Sequence, residues 1–329
     1  MKETIFVSIA SYRDRLCSST IESLIDHALI PDRITIGLCE QNGEDDTSCI
    51  KEKYKPYIRI IKIKSDEAEG PGYARFLCSQ LFEDQDYFFQ IDSHCKFVKH
   101  WDSKIIRMIK ECDSSKPILS HYPKDFVDYE EEPRETSQVT YIPKAFINER
   151  GLISFTGAAF IDAPKKPKKN YFIAAGFVFA PGYFIKEVPF DPYLQNLFVG
   201  EEILLSARAF THGWDVFSPN RDILYHFYTR KDEPKFWDKN YKQPTDAELK
   251  VKIIMGQAGG DDMAKIKNPL IRESIKTYNI GKKRSLKEFY KKIAIKDNIK
   301  EQHDMNKYWF VMIILLIFFS LVCFFFIVK

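Results

Sequence analysis

The sequence predicts an α/β fold built on an open sheet, followed by a single membrane-spanning helix at the C-terminus. Three observations lead there. Between residues 5 and 120, short β-branched and aromatic runs alternate with stretches of helical spacing, the pattern of parallel βαβ units. Hydrophobic residues make up 45% of the 329-residue chain and charged residues 29%, a balance that excludes a fully disordered chain. Residues 309–328 are apolar apart from Ser320.

The elements follow in order. Ile5–Ile9 is the first strand, ending at Ser11-Tyr12-Arg13-Asp14. Ser18–His27 reads as a helix because Ile21, Leu24, Ile25 and Ala28 share one face, and Pro31 stops it. Arg33–Cys39 is a second strand, and Glu44–Tyr54 is expected to be a helix. Ile58–Ile63 is a third strand, Ser65–Gly70 an acidic loop and Gly72–Leu81 a helix. Tyr87–Ile91 is a fourth strand, Trp101–Cys112 a helix, and Pro117–Ser120 opens a fifth strand. The pattern is irregular from Asp125 to Asn170, where Tyr129–Arg134 and Pro164–Asn170 read as flexible, substrate-facing loops. A helix then starts at Glu201, and a strand ends at His226. Leu249–Met255 and Ile266–Ile280 are expected as helices on the rim, and Gly281–Asn306 as a charged linker or surface helix.

Charge is distributed unevenly. The formal net charge is +3, but residues 263–308 carry 13 basic and 5 acidic residues, whereas residues 1–262 carry 35 basic and 41 acidic ones. An acidic body of this kind argues against nucleic-acid binding. The 20 residues 309–328 span about 30 Å as a helix, the thickness of a bilayer core. Tyr308 and Trp309 sit where an interfacial aromatic belt would be, and no N-terminal signal is evident. Lysines such as Lys282, Lys283 and Lys307 precede the run. The positive-inside rule therefore places the body in the cytoplasm, with the basic flank near anionic headgroups. The expected division is a catalytic body over 1–262, a basic stem over 263–308 and an anchor over 309–328. The absence of Asn-x-Ser/Thr acceptors agrees with a cytoplasmic body. So does the odd count of seven cysteines, which lack a spaced framework and are expected to be reduced, buried thiols.

The sharpest local feature is Asp92-Ser93-His94 at the end of an apolar strand. Residues two apart in a strand point the same way, so a carboxylate and an imidazole converge, a donor set suited to Mn²⁺. The plainer alternative is a strand-end cap beside a surface histidine. Further along, Glu201-Glu202 opens an amphipathic helix and His226 ends a strand. A first-turn acid is also favoured by the helix dipole alone, and a lone histidine is commonly structural.

Taken in order, IFVSIASYRD at 5–14, GPGYAR at 70–75, YFFQIDSHCKFVKHWD at 87–102, AAGFVFAPGYF at 174–184, FVGEEILLSARAFTHGWDVFSP at 198–219 and LYHFYTR at 224–230 form a specific set. With these motifs the sequence resembles nucleotide-sugar-dependent glycosyltransferases of the GT-A fold. The resemblance is strongest to the family that transfers N-acetylglucosamine to hydroxyproline of a cytoplasmic Skp1-type protein. It extends more distantly to polypeptide N-acetylgalactosaminyltransferases, and it covers Ile5 to about Trp237. The C-terminal anchor lies outside it.

The resemblance implies a Rossmann-like nucleotide-sugar domain and a retaining transfer from a UDP-sugar, UDP-GlcNAc or a relative. Asp92, His94 and His226 would hold Mn²⁺ or Mg²⁺. Ser8, Ala10, Tyr12 and Arg13 match the segment that receives uridine, although Tyr12 and Arg13 equally suit a rim aromatic and a salt bridge. Gly72 and Arg75 belong to the turn that would approach the diphosphate or the ribose, and Gly70-Pro71-Gly72 places a helix N-terminus there. Glu201 and Glu202 match the acidic pair near the donor sugar and the acceptor. The donor phosphate itself would accept the proton of the acceptor hydroxyl. Tyr228, Arg230, Phe236 and Trp237 would belong to a closing segment, packing beneath the sheet being the alternative for the last two. The expected partners are the UDP-sugar, a protein or glycan acceptor and, through the anchor, a lipid bilayer. Two other readings stand beside this one: a transferase for a lipid-linked or surface glycan, and a tail-anchored adaptor that has lost catalysis.

Overall fold

The computed structural model describes residues 3–132, 137–230, 233–240, 245–258 and 260–295. The first half runs β1 (Ile5–Tyr12), α1 (Cys17–Asp26), β2 (Ile34–Asn42), β3 (Ile58–Lys64), α2 (Pro71–Ser79), β4 (Tyr87–Asp92), β5 (Cys95–Phe97), α3 (Trp101–Lys110), β6 (Pro117–Leu119) and β7 (Lys124–Asp125). Short strands follow: β8 (Gln138–Tyr141), β9 (Ala145–Ile147), β10 (Ile153–Phe155), β11 (Ala159–Asp162) and β12 (Lys168–Asn170). The remainder is β13 (Phe177–Pro181), α4 (Phe184–Glu187), α5 (Glu201–Thr211), β14 (Asp215–Ser218), β15 (Leu224–His226), α6 (Phe236–Asn240), α7 (Asp246–Ile254), α8 (Pro269–Ser274) and α9 (Leu286–Lys292).

Eight strands make the central sheet in the order β12-β14-β6-β13-β4-β1-β2-β3. β4, β1, β2 and β3 are mutually parallel, as the alternating pattern predicts, and β13 enters antiparallel between β4 and β6. Both faces are covered, which is why the strands read as unbroken apolar runs. Ile5, Val7, Ile9 and Phe89 pack into one core with α1 and α3, while Phe6, Phe88 and Val178 pack into a second with Trp214 and Ala209. Gly37 on β2 is required by this packing, since a Cβ there would lie 2.1 Å from the Phe6 ring.

Four stretches differ from expectation. Glu44–Tyr54 is not an α-helix; only a 3₁₀ segment, Glu52–Tyr57, forms, and it contains Pro56. Local polar contacts compete with the helix there. Asp46 accepts the Gly43 N–H at 2.7 Å, and Glu40 accepts the Cys49 N–H at 2.6 Å and the Ser48 hydroxyl at 2.9 Å. Cys17 and Cys49, expected as reduced thiols, form a disulfide because the parallel β1–β2 pair brings the start of α1 beside the loop after β2. Pro164–Asn170 is not wholly loop: Lys168–Asn170 adds to the sheet edge as β12. The helix expected over Ile266–Ile280 contracts to α8, capped by Asn268.

The first part of the segment expected as a stem folds onto the body. Ile266, Ile271, Ile275, Phe289, Tyr290 and Ile293 share one core with Leu204 and Phe210 of α5. Ser285 and Glu288 form a capping box that starts α9. The rest of the stem, 296–308, and the expected anchor, 309–328, lie outside the described residues. No helix among the described residues is long and apolar enough to cross a membrane.

Candidate active site

A cleft of about 530 Å³ opens at the carboxyl ends of β1 and β4, where open α/β sheets bind ligands. Asp92 is the last residue of β4, and Ser93 and His94 form the turn into β5. β5 pairs antiparallel with β15 in a small second sheet, with Cys95 opposite His226. That pairing carries His226 across 134 residues to within 3.1 Å of Asp92, Nε2 to Oδ2. Ligand atoms of Asp92, His94 and His226 all lie within 4.8 Å of one another.

The surroundings fix these three groups. His94 Nδ1 lies 2.6 Å from Asp14 Oδ2, which also accepts the Ser93 hydroxyl at 2.6 Å, while Asp14 Oδ1 accepts the Leu16 N–H at 2.9 Å. Burial pushes the Asp14 carboxyl up, but its contact with His94 and the nearby Arg230 outweigh that and bring it to about 2. Asp92 behaves alike: burial opposes its charge, and His226 and Arg75 more than offset this, holding it well below the ordinary carboxylate range. Room for the Asp92 carboxylate exists because residue 176 is glycine; a Cβ there would lie 2.5 Å from Oδ2.

Arg75 of α2 bridges two elements, donating to Asp92 Oδ1 at 3.0 Å and to Glu201 Oε2 at 2.7 Å. Burial disfavours its charge, but Glu201 and Asp92 keep the guanidinium firmly protonated. Glu202 faces elsewhere. Its Oε2 accepts the Tyr122 hydroxyl at 2.5 Å and its Oε1 the Ala175 N–H at 2.9 Å. Burial raises the Glu202 carboxyl to about 7 with help from Glu201, against the opposing Tyr122 and Ala175 hydrogen bonds and Arg75. The adjacent acids therefore differ in kind: Glu201 is locked to a cation, and Glu202 titrates near neutrality.

The cleft gathers most of the expected residues: Ala10, Tyr12, Arg75, Asp92, His94, Glu201, Glu202 and His226 all line it. Ser8, Arg13 and Gly72 do not. Ser8 is buried within β1, Arg13 pairs with Asp46 at 2.7 Å, and Gly72 faces Leu194. Gly70 and Pro71 represent the turn at the cleft instead. Phe236 stands edge-on to Tyr12 at 6.0 Å, and Trp237 packs on Phe198 at 4.3 Å, so both rings wall the cleft rather than lie beneath the sheet. Asp14, Tyr122 and Gly176 were not singled out from the sequence. Asp14 and Gly176 stand inside the SYRD and AAGF motifs, whereas Tyr122 has no local signal.

Among solved structures, GalNAc-T7 with UDP, GalNAc and Mn²⁺ is similar at a TM-score of 0.59 and 15% identity, covering 89% of this chain and 56% of that one. The chain thus spans little more than half the length of that neighbour. S. aureus TarS 1–349 in complex with UDP-GlcNAc is similar at a TM-score of 0.51 and 14% identity, covering 84% of this chain and 73% of that one. These likenesses establish the GT-A type of fold. A sequence search finds no match among curated proteins. The family model described as Glycosyltransferase (GlcNAc) matches residues 4–57 and 54–299, most of the chain, and the protein belongs to that glycosyltransferase family.

Proposed function

We propose that the protein is a metal-dependent, retaining transferase that moves N-acetylglucosamine from UDP-GlcNAc to a hydroxyl of a protein acceptor of hydroxyproline type. The observation that supports this reading is the convergence of Asp92, His94 and His226 in the cleft. The donor set fits a borderline divalent cation such as Mn²⁺: one carboxylate and two imidazoles, with His94 Nδ1 engaged by Asp14 so that Nε2 is left to ligate. His226 keeps Nδ1 buried without a hydrogen-bond partner. The cation would neutralise charge on the leaving diphosphate. Ala10 and Tyr12 would receive the nucleoside, and Arg75 would hold Asp92 and Glu201 in place. Arg230 lines the cleft with a buried Nε that has no hydrogen-bond partner, and it would face the phosphates. Glu202, ionised, would accept a hydrogen bond from a sugar or acceptor hydroxyl.

A donor screen tests the reading. The full chain with Mn²⁺ is expected to release UDP from UDP-GlcNAc in preference to UDP-GalNAc and UDP-glucose. Asp92→Ala should lower turnover by roughly 100-fold or more, the scale of losing a key electrostatic group, and exposed Lys51→Ala should not change it. Full activity in Asp92→Ala sinks the metal assignment. No release from any donor favours the adaptor reading.

We propose further that residues 309–328 anchor the chain with the body on the cytoplasmic side, supported by the apolar run and its basic flank. The Cys17–Cys49 bond is unusual for a reducing compartment. An Asn-x-Thr acceptor engineered at exposed Lys51 should stay unglycosylated in cells; its glycosylation would reverse the orientation.

A further inference from the structure

Among the described residues, the fold assembles a concentration of positive charge from two distant segments. Residues 164–170 and 281–292 together carry ten basic side chains and one acidic one, Glu288. They meet at Asp215, whose Oδ1 takes Lys169 at 2.5 Å and Arg284 at 3.0 Å. Lys292, at the end of α9, lies 6.0 Å from the ring of Tyr171, directly after β12. Lys165, Lys166, Lys168, Lys283, Lys287 and Lys291 are exposed beside this pair. Lysines on an edge strand discourage strand pairing; that accounts for β12 but not for a helix such as α9.

The course of the chain gives this face its partner. The described residues end at Ile295, three residues beyond α9. The sequence then continues through Lys296, Lys300 and Lys307 into the apolar run at 309. We infer that the β12–α9 edge is a docking surface for an anionic bilayer, holding the catalytic body against the membrane that the C-terminal run enters. The negative surface potential of an anionic bilayer attracts clustered lysines close to it, and the attraction is screened by salt. The segment 164–170, expected from sequence to face substrate, would thereby face lipid, leaving the cleft at the carboxyl ends of β1 and β4 open. The inference is independent of the donor and acceptor assignment and shares only the anchor with it.

Amine acetylation of the full chain in nanodiscs tests it, comparing phosphatidylcholine alone with phosphatidylcholine plus phosphatidylserine. Lys165, Lys166, Lys168 and Lys287 should label about fivefold more slowly in the anionic discs, equivalent to about 1 kcal/mol per residue. Raised salt should restore their labelling, and Lys51 and Lys53, ahead of β3 at the other sheet edge, should label equally in both discs. Equal labelling of the four lysines in the two discs overturns the proposal. So does protection by a soluble oligonucleotide in neutral discs, which would assign the face to nucleic acid. Failure of the chain to enter either disc overturns it through the anchor and leaves the UDP-release result untouched.

Discussion

Asp14 and His94 are joined by a 2.6 Å contact between Oδ2 and Nδ1, with both side chains buried. The contact fixes which imidazole nitrogen faces Asp92 and His226, and a carboxylate behind a ligating histidine also raises its basicity. Asp14 comes from the turn after β1 and His94 from the turn after β4, so the pair depends on those two strands lying side by side.

Replacing Asp14 by Asn should lower Mn²⁺ affinity by about 10- to 100-fold, the usual effect of removing such a partner. Titration calorimetry with Mn²⁺ in the presence of UDP reads this directly, and circular dichroism checks that the fold persists. Wild-type affinity in the variant would leave His94 without need of its partner.

Gly176→Ala places a methyl carbon 2.5 Å from Asp92 Oδ2, well inside van der Waals contact. The carboxylate must move, and a displacement of about 1 Å at a reacting centre typically costs on the order of 100-fold in rate. UDP release should fall accordingly while the far-ultraviolet spectrum stays unchanged. Activity within about twofold of wild type, far inside that 100-fold scale, would show that Asp92 tolerates another position.

Glu202 should impose a pH dependence. Its carboxyl lies at about 7 instead of the ordinary 4.5, so transfer is expected to rise with pH through about 7 as the acceptor form appears. Stability runs the other way. A carboxyl raised in the folded state favours folding fully below pH 4.5, and that contribution is lost as pH rises toward 7. Glu202→Gln should flatten the rate profile in this interval and melt higher than wild type above pH 7. A wild-type profile retained in the variant assigns the limb to another group.

The Cys17–Cys49 bond closes a loop with a sequence separation of 32, for which a stabilisation of about 2–4 kcal/mol is typical. Cys49→Ser should shift the urea midpoint down by the corresponding amount, and non-reducing peptide mapping should recover the two cysteines linked. A midpoint unaffected by the substitution would remove the bond from the stability of the native chain.

How much of this was legible in the sequence follows from the range of each interaction. The strand–helix alternation, the covered sheet and the motif set reporting a nucleotide-sugar enzyme are local or repeat along the chain, so Asp92, Arg75 and Glu201 stood out by pattern. Glu44–Tyr54 misled because helical spacing does not register the hydrogen bonds of Glu40 and Asp46 that hold a loop there. The Cys17–Cys49 pairing was invisible because disulfide geometry depends on strand neighbours. Tyr122 reaches Glu202 from a segment with no periodic signal.

By itself the sequence determined the α/β fold class, the glycosyltransferase type and most, not all, of the groups that line the cleft. Those properties reside in side-chain chemistry and in spacings of a few residues. Only the tertiary structure decided which of those groups touch. It set Asp14 behind His94, locked Glu201 to Arg75 while leaving Glu202 to titrate, excluded Ser8, Arg13 and Gly72 from the cleft, and drew two lysine-rich segments to one edge. The reason is physical: contacts of about 3 Å and the desolvation that shifts a carboxyl depend on neighbours as far as 134 residues away, and strand order, not sequence distance, sets who those neighbours are.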